Sequence, residues 1–148
     1  MMPPIMIDTN LLVYLYDTNE PERQSQAQRV LDYLEISSSG RLSVQNLAEF
    51  CHVIINKLDP PLTPSEALHQ VELFMSIWPV FDLTPMVVIE ACRGVQDHQL
   101  SYYDAQVWAT ARLNQVLIVF SEDFQHNQVL EGVRFVNPFA PDFSLENF

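Results

Sequence analysis

The sequence predicts an α/β fold in which helices flank a central parallel sheet, and three observations support this. Short apolar runs such as Ile5–Ile7 and Leu117–Phe120 are typical of strands that are buried on both faces. Segments with apolar residues at helical spacing alternate with these runs. The chain has 148 residues, 48% of them hydrophobic, which suffices for one core. We therefore expect a single domain over residues 1–148, built as an α/β/α sandwich.

The first predicted strand ends in Asp8-Thr9-Asn10 and is followed by the apolar run Leu11–Tyr16. If this run is a helix, Asp8 lies just beyond the carboxyl end of a strand, where open α/β sheets place their ligand-binding crevice. The alternative is that Asp8 or Asn10 only caps the helix. The pattern leaves both interpretations open.

The next segments give a helix, a strand and a second helix. Glu20-Pro21-Glu22 begins a helix, because proline and acidic residues are favoured in a first turn. Ser37–Gly40 ends this helix, and Leu42–Val44 is the next predicted strand. The following helix carries an amphipathic stripe of Leu47, Phe50, Cys51, Ile54, Ile55 and Leu58. Glu49 lies off the stripe, so on pattern alone it is an ordinary solvated residue.

Prolines mark the boundaries in the middle of the chain. Asp59-Pro60-Pro61 ends the stripe helix, and Thr63-Pro64-Ser65-Glu66 has the form of a capping box that starts another. Val80–Leu83 is predicted to be a strand, and Thr84-Pro85 begins the next helix. The residues that we expect to face inward on the helix ending near Trp78 are Leu68, Val71, Phe74, Met75 and Trp78.

A carboxylate occupies the apolar line of a late helix. Asp104, Val107, Trp108 and Ala111 fall at helical spacing after Ser101. One explanation is a capping box in which Ser101 is the cap and Asp104 the third helical residue. The other explanation is a functional carboxylate, and one residue can serve both roles.

The buried run Leu117–Phe120 ends in Ser121-Glu122-Asp123-Phe124, so carboxylates again follow a strand. If this strand is a neighbour of the first one, Asp8 and Asp123 converge at one edge of the sheet. The alternative for Glu122 and Asp123 is a polar turn. A last strand, Val133–Val136, precedes a tail whose Phe143 and Phe148 we expect to dock on the body of the domain.

Composition excludes several classes of protein. Cys51 and Cys92 form no CxxC or Cys/His cluster, so neither a disulfide framework nor a zinc site is indicated. Neither a signal peptide nor a run of ~20 apolar residues is evident, and we expect a cytoplasmic protein that is not attached to a membrane. The formal net charge of -12 argues against a broad basic surface for nucleic acid. Any polyanionic substrate must therefore bind at a small local site and not on a broad basic surface.

Together these motifs resemble the PIN-domain nucleases, and among them the VapC-type toxins. The resemblance is carried by Asp8-Thr9-Asn10, Glu49 in Leu47–Phe50, Tyr103-Asp104-Ala105, Ser121–Phe124 and the late Asn137-Pro138-Phe139. It implies a PIN-like fold with an acidic site made of Asp8, Glu49, Asp104 and Asp123, supported by the polar groups of Asn10 and Ser121. The chain departs from the family in its strong acidity and in having a single lysine, Lys57.

Clustered carboxylates need a cation. Two carboxylates about 5 Å apart repel by roughly 3 kcal/mol at an effective dielectric near 20. Ligands that are all oxygen favour Mg²⁺ or Mn²⁺ over zinc, and the four histidines show no metal-ligand spacing. The resemblance accordingly implies a metal-dependent endoribonuclease that leaves a 5′-phosphate and a 3′-hydroxyl. It also implies a cognate antitoxin, and we further expect a homodimer.

The acidity of the chain determines which contacts we expect with the RNA substrate and with the antitoxin. The candidates for phosphate contacts are Arg41, Lys57, Arg93, Arg112 and Arg134. We expect the antitoxin to insert a basic side chain into the acidic pocket, because arginine can engage a carboxylate bidentately. An apolar segment of the antitoxin would lie on Leu11–Tyr16, unless that helix is buried all round.

Other classes of protein also place an acid after a strand. A phosphotransfer enzyme would need a second aspartate where Asn10 stands, and a receiver domain would need a lysine after a late strand. Asn10 and the absence of lysine beyond Lys57 argue against both. A non-catalytic acidic interaction module of PIN-like fold, binding a basic partner, stays open as the alternative function.

Overall fold

The computed structural model describes residues 2–148, which form a six-stranded sheet and six α-helices. Within this range no helix is both long enough and apolar enough to cross a membrane. The strands are β1 (Ile5–Ile7), β2 (Gly40–Ser43), β3 (Val80–Phe81), β4 (Ile118–Phe120), β5 (Val129–Leu130) and β6 (Val133–Val136). The helices are α1 (Thr9–Tyr14), α2 (Pro21–Ile36), α3 (Val44–Asn56), α4 (Pro64–Ile77), α5 (Pro85–His98) and α6 (Tyr102–Leu113), and a 3-10 turn covers Leu145–Asn147.

The sheet has the order β3-β2-β1-β4-β6-β5, and it is parallel except at one edge. Only β5 runs antiparallel, to β6, so the expectation of a parallel sheet is corrected at this strand. The two strands are joined by Glu131-Gly132, and both residues have positive φ, 48° and 87°. Such a two-residue turn requires left-handed backbone, which glycine adopts without strain.

The strand order places a topological switch point between β1 and β4. From β1 the chain proceeds to β2 and β3 on one side, and it then crosses to β4 and β6 on the other. The Asp8 amide donates a 3.0 Å hydrogen bond to the Phe120 carbonyl, so the carboxyl ends of the two strands lie side by side. Open α/β sheets bind their ligands at such a point.

Two hydrophobic cores cover opposite faces of the sheet. Ile5 and Ile7 of β1 pack into a core shared with α1, α2, α3 and α4. Met6 points to the other face, where α5 and α6 form the second core around the fully buried Trp108. All three β1 side chains are 0% exposed, as expected of a strand covered on both faces. The predicted α/β/α sandwich is thus confirmed.

Local side-chain hydrogen bonds set the beginnings of the helices. Thr63 and Glu66 form the predicted capping box at α4, with each side chain bonded to the other's backbone amide. Ser43 caps α3, since its hydroxyl accepts from the Asn46 amide at 3.1 Å. The predicted strand Leu42–Val44 therefore ends one residue earlier, at Ser43. The strand predicted at Val80–Leu83 likewise ends early, at Phe81.

Helix α4 is more peripheral than its pattern indicates. Leu68 and Met75 were expected to face inward, yet they are 59% and 56% exposed. The helix buries only a narrow line, Ala67 and Phe74, and Trp78 follows at its end. The prediction for Leu68 and Met75 is therefore wrong, because α4 contacts the core along one edge and leaves its other apolar residues in solvent.

The carboxyl-terminal tail docks on the sheet as predicted. Phe143 and Phe148 both pack edge-on against Phe120, with ring centroids 5.5 and 5.2 Å away. These aromatic contacts cover the face of β4 near the acidic edge of the sheet.

Candidate active site

Asp8 lies at the centre of the polar group beyond β1 and β4. It is 3% exposed, and both of its carboxylate oxygens accept hydrogen bonds. Oδ2 accepts from the Ser121 hydroxyl at 2.7 Å, and Oδ1 accepts from the Asn46 amide group at 3.1 Å. Oδ1 also accepts from the Thr9 backbone amide at 2.8 Å, so Asp8 caps α1 as well. Asp8 therefore caps α1 and also lies beyond the carboxyl end of β1, at the switch point of the sheet.

Glu49 reaches the same polar group from α3. Its Oε2 accepts from the Thr9 hydroxyl at 3.0 Å, and its Oε1 accepts from the Gln45 side chain at 2.7 Å. The side chain is half-buried. The interpretation of Glu49 as an ordinary solvated residue, which followed from the amphipathic stripe alone, is therefore wrong. The resemblance to the PIN-domain nucleases placed this residue correctly beside Asp8.

Asp104 enters from the first turn of α6. Ser101 is the N-cap of this helix, but its side chain makes no capping hydrogen bond. The capping-box explanation is therefore not borne out. Within residues 2–148 the Asp104 carboxylate accepts no side-chain hydrogen bond, so its charge stays open to another ligand. Asp104 is partly buried in the first turn of α6, a position that favours an acid because of the helix dipole and that also allows a role in binding a ligand.

Asp123 completes the group from the loop after β4. Its backbone amide donates to the Ser121 hydroxyl at 3.0 Å, and this hydroxyl donates to Asp8. Ser121 thus links the carboxylate of Asp8 to the backbone of Asp123. Glu122 turns away, because it pairs with Arg23 at 2.8 Å and accepts a hydrogen bond from the Tyr14 hydroxyl. Of the two acids after β4, only Asp123 belongs to the site.

Burial and mutual repulsion raise the pKa values of the two aspartates that follow strands. Burial raises the pKa of Asp8 to about 7, with smaller contributions from the charges of Asp123 and Glu49. The hydrogen bonds from Ser121 and Thr9 oppose this rise. Although Asp123 lies at the exposed rim, partial desolvation raises its pKa, and the charge of Asp104 adds to the effect. The four carboxylates are thus close enough to sense one another.

Asn10 points its amide into this group without a regular partner. Its buried Oδ1 and Nδ2 atoms have no hydrogen bond within the described chain. The side chain nevertheless lies near enough to Asp123 to lower that residue's pKa. A buried amide without partners is costly, so a ligand that supplies them is expected here.

The residues fit a hard divalent cation by chemistry. The donor set consists of carboxylate and amide oxygens, and the orphaned Oδ1 of Asn10 lies beside it. Within residues 2–148, however, no three acids converge to ligating distance of one point. Mutual repulsion gives a physical reason for this, because carboxylates without a cation between them favour separation.

Two buried glutamines and one asparagine extend the site beyond the predicted residues. Asn46 is 0% exposed and binds Asp8, as described above. Gln45 donates from one amide nitrogen to Glu49 and to the Tyr103 carbonyl, and it accepts from Gln106 at 3.0 Å. A sequence signal for Gln45 and Asn46 did exist, since they precede Glu49 by four and three residues on α3.

A groove of about 720 Å³ opens directly beside Glu49. Its walls are α3, Leu83 before α5, and the first turns of α6. Its lining is largely apolar, with Tyr103 65% exposed and Lys57 at the far end of α3. This groove and the acidic site share Glu49 and its partner Gln45.

A second groove, of about 660 Å³, lies between α4 and the segment after α1, away from the acids. Leu15, Tyr16 and Leu62 supply its apolar lining. Leu11 and Leu12 are fully buried, so the expectation that the whole run Leu11–Tyr16 offers surface is corrected. Its last four residues are the ones that reach the surface.

Most basic residues are engaged elsewhere. Arg93 and Arg112 form ion pairs with Glu90 and Glu131, so these glutamates compete with the predicted phosphate contacts. Arg41 donates to backbone carbonyl groups of its own segment. Lys57 forms no ion pair within residues 2–148, and it lines the groove beside Glu49.

Solved structures of similar fold come from toxin-antitoxin systems. The sarcin-ricin loop cleaving toxin VapC20 of Mycobacterium tuberculosis is 18% identical, with 80% of this chain and 89% of that chain covered and a TM-score of 0.61. A toxin-antitoxin complex from Klebsiella pneumoniae is 16% identical (91% and 98% covered, TM-score 0.67). The DNA-bound VapBC of Salmonella typhimurium is 21% identical (90% and 97% covered, TM-score 0.64).

A family comparison covers most of the chain. No curated protein matches by sequence. The model of the PIN domain family, in contrast, matches residues 5–130, which include all four predicted acidic residues and both predicted supporting residues. The sequence resemblance and the observed fold agree with this match. The chain therefore belongs to the PIN domain family.

Proposed function

We propose that this chain is a Mg²⁺- or Mn²⁺-dependent endoribonuclease with its metal site at Asp8, Glu49, Asp104 and Asp123. The observation that carries the proposal is the buried Asp8 carboxylate at the ends of β1 and β4, which is held by the uncharged donors Ser121 and Asn46 and has the charges of Glu49 and Asp123 nearby. Such an arrangement costs stability, so it points to a functional cation. Family membership supports nuclease chemistry, and the solved neighbours include a toxin that cleaves the sarcin-ricin loop.

The residues of the chain would divide the work as follows. Asp8 and Asp104 would hold the ion, and Glu49 and Asp123 would complete its shell. When bound, the ion would polarise a phosphate oxygen and lower the pKa of a water molecule. Ser121 and Asn46 fix the orientation of Asp8, and Gln45 and Thr9 fix that of Glu49. These neutral donors hold the carboxylates in place without a competing positive charge.

A cleavage assay against total RNA with mapped ends tests this proposal. We expect cleavage in Mg²⁺ or Mn²⁺, with 5′-phosphate and 3′-hydroxyl ends, and loss of cleavage in EDTA. Cleavage that persists unchanged in EDTA would show that the reaction needs no divalent ion. Cleavage by an Asp104→Asn variant at the rate of the wild type would assign the activity to a contaminating nuclease.

We further propose that an antitoxin restrains the chain. Two of the solved neighbours are complexes of a toxin with its antitoxin, and the groove lined by Leu15, Tyr16 and Leu62 offers an apolar docking surface. An arginine of the antitoxin would enter the acidic pocket, because a guanidinium satisfies two carboxylate oxygens at once.

Added Mg²⁺ should then weaken the complex. An antitoxin whose arginine is replaced by alanine should bind but no longer inhibit, and full inhibition by that variant would place the block elsewhere.

A homodimer is also proposed. Helix α5 exposes Met86 (61%) and Ile89 (62%), and a second copy of the chain is one means of covering such a face. Sedimentation of the wild type beside Ile89→Glu provides the test. A wild type that stays monomeric at high concentration would rule out the dimer.

The alternative function is a non-catalytic acidic interaction module. It is favoured by the absence of three converging acids within residues 2–148 and by the formal net charge of -12. In that case the acids would bind a basic partner, and RNA would remain intact with every divalent ion. The cleavage assay therefore separates the two functions.

A further inference from the structure

We propose that the groove beside Glu49 binds an unpaired nucleotide of the RNA strand, with its base on the ring of Tyr103 and a phosphate on Lys57. This inference rests on the proposed nuclease function, because it assigns the occupant of a surface that is continuous with the acidic site. Glu49 and Gln45 line the groove and also belong to that site. A strand cleaved at the acids has to continue over a neighbouring surface, and this groove adjoins them at Glu49.

Tyr103 has the properties of a stacking platform. Its side chain is 65% exposed, although aromatic rings of this size are usually covered. Its backbone is fixed, since its carbonyl accepts a 3.0 Å hydrogen bond from Gln45. The ring also contacts Tyr102 edge-on, with centroids 5.3 Å apart, and this leaves a face of the ring open. Because Asp104 is the next residue, a base on Tyr103 would belong to a nucleotide close to the scissile phosphate.

Lys57 supplies the cation that such a strand needs. It is the C-cap of α3, eight residues beyond Glu49, which corresponds to about 12 Å along the helix. It forms no ion pair with any residue in the described part of the chain, whereas Arg93 and Arg112 are neutralised by glutamates. A phosphate further along the strand would therefore meet an available ammonium group at this end of the groove.

Size and composition favour a nucleotide over a folded partner. The groove, at about 720 Å³, lies within the roughly 300–1,000 Å³ of small-molecule sites. Its apolar wall includes Leu83 and Val53, which suit the body of a base, and its polar lining includes Gln45, His52 and Gln106. Stacking on an aromatic ring is tolerant of base identity, so the subsite would recognise single-stranded RNA and not a particular base.

The experiment measures binding and cleavage separately on the full chain. Fluorescence anisotropy in EDTA reports binding of a labelled eight-nucleotide single-stranded RNA of mixed sequence, and cleavage in Mg²⁺ reports kcat and KM. We expect Tyr103→Leu to weaken binding about 5- to 100-fold, whereas Tyr103→Phe binds like the wild type. Lys57→Met should weaken binding and reduce the salt slope by about 0.7. Ile36→Ala and Arg29→Met, both at exposed positions of α2, serve as controls.

Four binding or association outcomes would overturn the subsite, and a failure of cleavage alone would not. Equal binding by Tyr103→Leu and the wild type would exclude stacking. A loss of binding in Tyr103→Phe as large as that in Tyr103→Leu would exclude a role for the ring, because phenylalanine keeps the ring and lacks only the hydroxyl group. A wild type that does not bind the oligonucleotide would exclude the groove as an RNA surface. If Tyr103→Leu instead converts a sedimenting dimer to a monomer without changing RNA affinity, the groove is an interface between copies. Failure of cleavage with intact Tyr103-dependent binding would refute only the nuclease proposal.

Discussion

Two groups of carboxylates in this chain have opposite electrostatic environments. Glu131, in the turn between β5 and β6, accepts two hydrogen bonds from Arg93, at 2.8 and 3.0 Å, and it lies 2.7 Å from the His98 ring nitrogen. The hydrogen bonds from Arg93 and then from His98 lower its pKa to about 2. Asp8 is buried beyond β1, and burial raises its pKa to about 7. Within residues 2–148 no basic side chain forms an ion pair with Asp8.

The difference separates a structural cluster, the ion pairs around Glu131, from a candidate functional one, the acids around Asp8. The arginines of α5 and α6 neutralise Glu90 and Glu131 and thereby tie the edge hairpin to the helices. Within residues 2–148 the acids at the switch point accept hydrogen bonds only from uncharged groups, so no positive charge offsets the repulsion between their carboxylates. A fold gains nothing from buried, unpaired charge, and such charge marks a site that is completed by a ligand.

The largest effect is expected on RNA cleavage. Replacing Asp104 by Asn removes a carboxylate that forms no ion pair or side-chain hydrogen bond within residues 2–148. The loss should exceed the roughly 10- to 100-fold that removal of an outer-shell partner costs a metal site. The matched control is Asp97→Asn, since Asp97 pairs with Arg93 at 3.2 Å in the structural cluster. Initial rates of Mg²⁺-dependent cleavage provide the measurement, and equal loss in both variants would erase the distinction.

The next effect concerns stability without metal. The pKa of Asp8 rises on folding from 3.8 to about 7, so the folded state prefers the protonated carboxyl. The resulting penalty is absent below pH 4, grows between pH 4 and 7, and is complete above pH 7. It amounts to about 4 kcal/mol at most. Asp8→Asn should therefore raise the free energy of unfolding in EDTA at pH 8 by a few kcal/mol and have little effect at pH 4.

Urea denaturation at the two pH values tests this prediction. Added Mg²⁺ should stabilise the wild type and leave Asp8→Asn unchanged, because a ligand that binds only the folded state stabilises it. A variant that is less stable than the wild type at pH 8 would mean that the hydrogen bonds from Ser121 and Asn46 outweigh the burial penalty.

A smaller loss is expected from the support behind Glu49. Gln45→Leu removes the donor at 2.7 Å from Glu49 and leaves Gln106 without its acceptor. Mg²⁺ affinity, measured by calorimetry, should fall about 10- to 100-fold, as for other residues that orient a ligand. Gln28→Leu is the control, since Gln28 bonds only Asp32 on the exposed face of α2. Unchanged affinity in Gln45→Leu would remove Gln45 from the site.

The smallest effect is expected in the structural cluster. The pKa of Glu131 is lowered from 4.5 to about 2 on folding, so its stabilising contribution is present above pH 4.5 and is lost as the pH falls toward 2. Because these side chains are exposed to screening solvent, Glu131→Gln should lower the melting temperature at pH 7 by only a few degrees. Thermal unfolding at pH 7 and pH 3 provides the test. A larger loss at pH 3 than at pH 7 would contradict the assignment.

The sequence predicted the positions of the acids better than it predicted their surroundings. The rule that strands end at a binding crevice correctly predicted that Asp8 and Asp123 would meet, because both strands read as continuous apolar runs. Such short apolar runs do not indicate the order of the strands or the antiparallel direction of β5, so neither could be predicted. The inward positions predicted for Leu68 and Met75 were wrong because a helical stripe does not show how much of it a neighbouring element covers.

The electrostatic partners could not be predicted because they are distant in the chain. Arg93 and Glu131 are brought together only by the packing of α5 against the edge hairpin, and no local pattern indicates that pairing. Gln45 and Gln106 lie on different helices and are joined through amide groups that hydrophobicity patterns ignore. Glu49 was located by family resemblance and not by periodicity.

The central claim, that the unpaired acids form a metal site, is tested most directly by calorimetric titration of the full chain with Mg²⁺ at pH 6 and pH 8. A proton must leave Asp8 when the ion binds, and the pKa of Asp8 is about 7. The account predicts saturable binding at pH 8, binding about tenfold weaker at pH 6, and loss of binding in Asp8→Asn. No saturable binding, equal affinity at the two pH values, or full affinity in Asp8→Asn would contradict it.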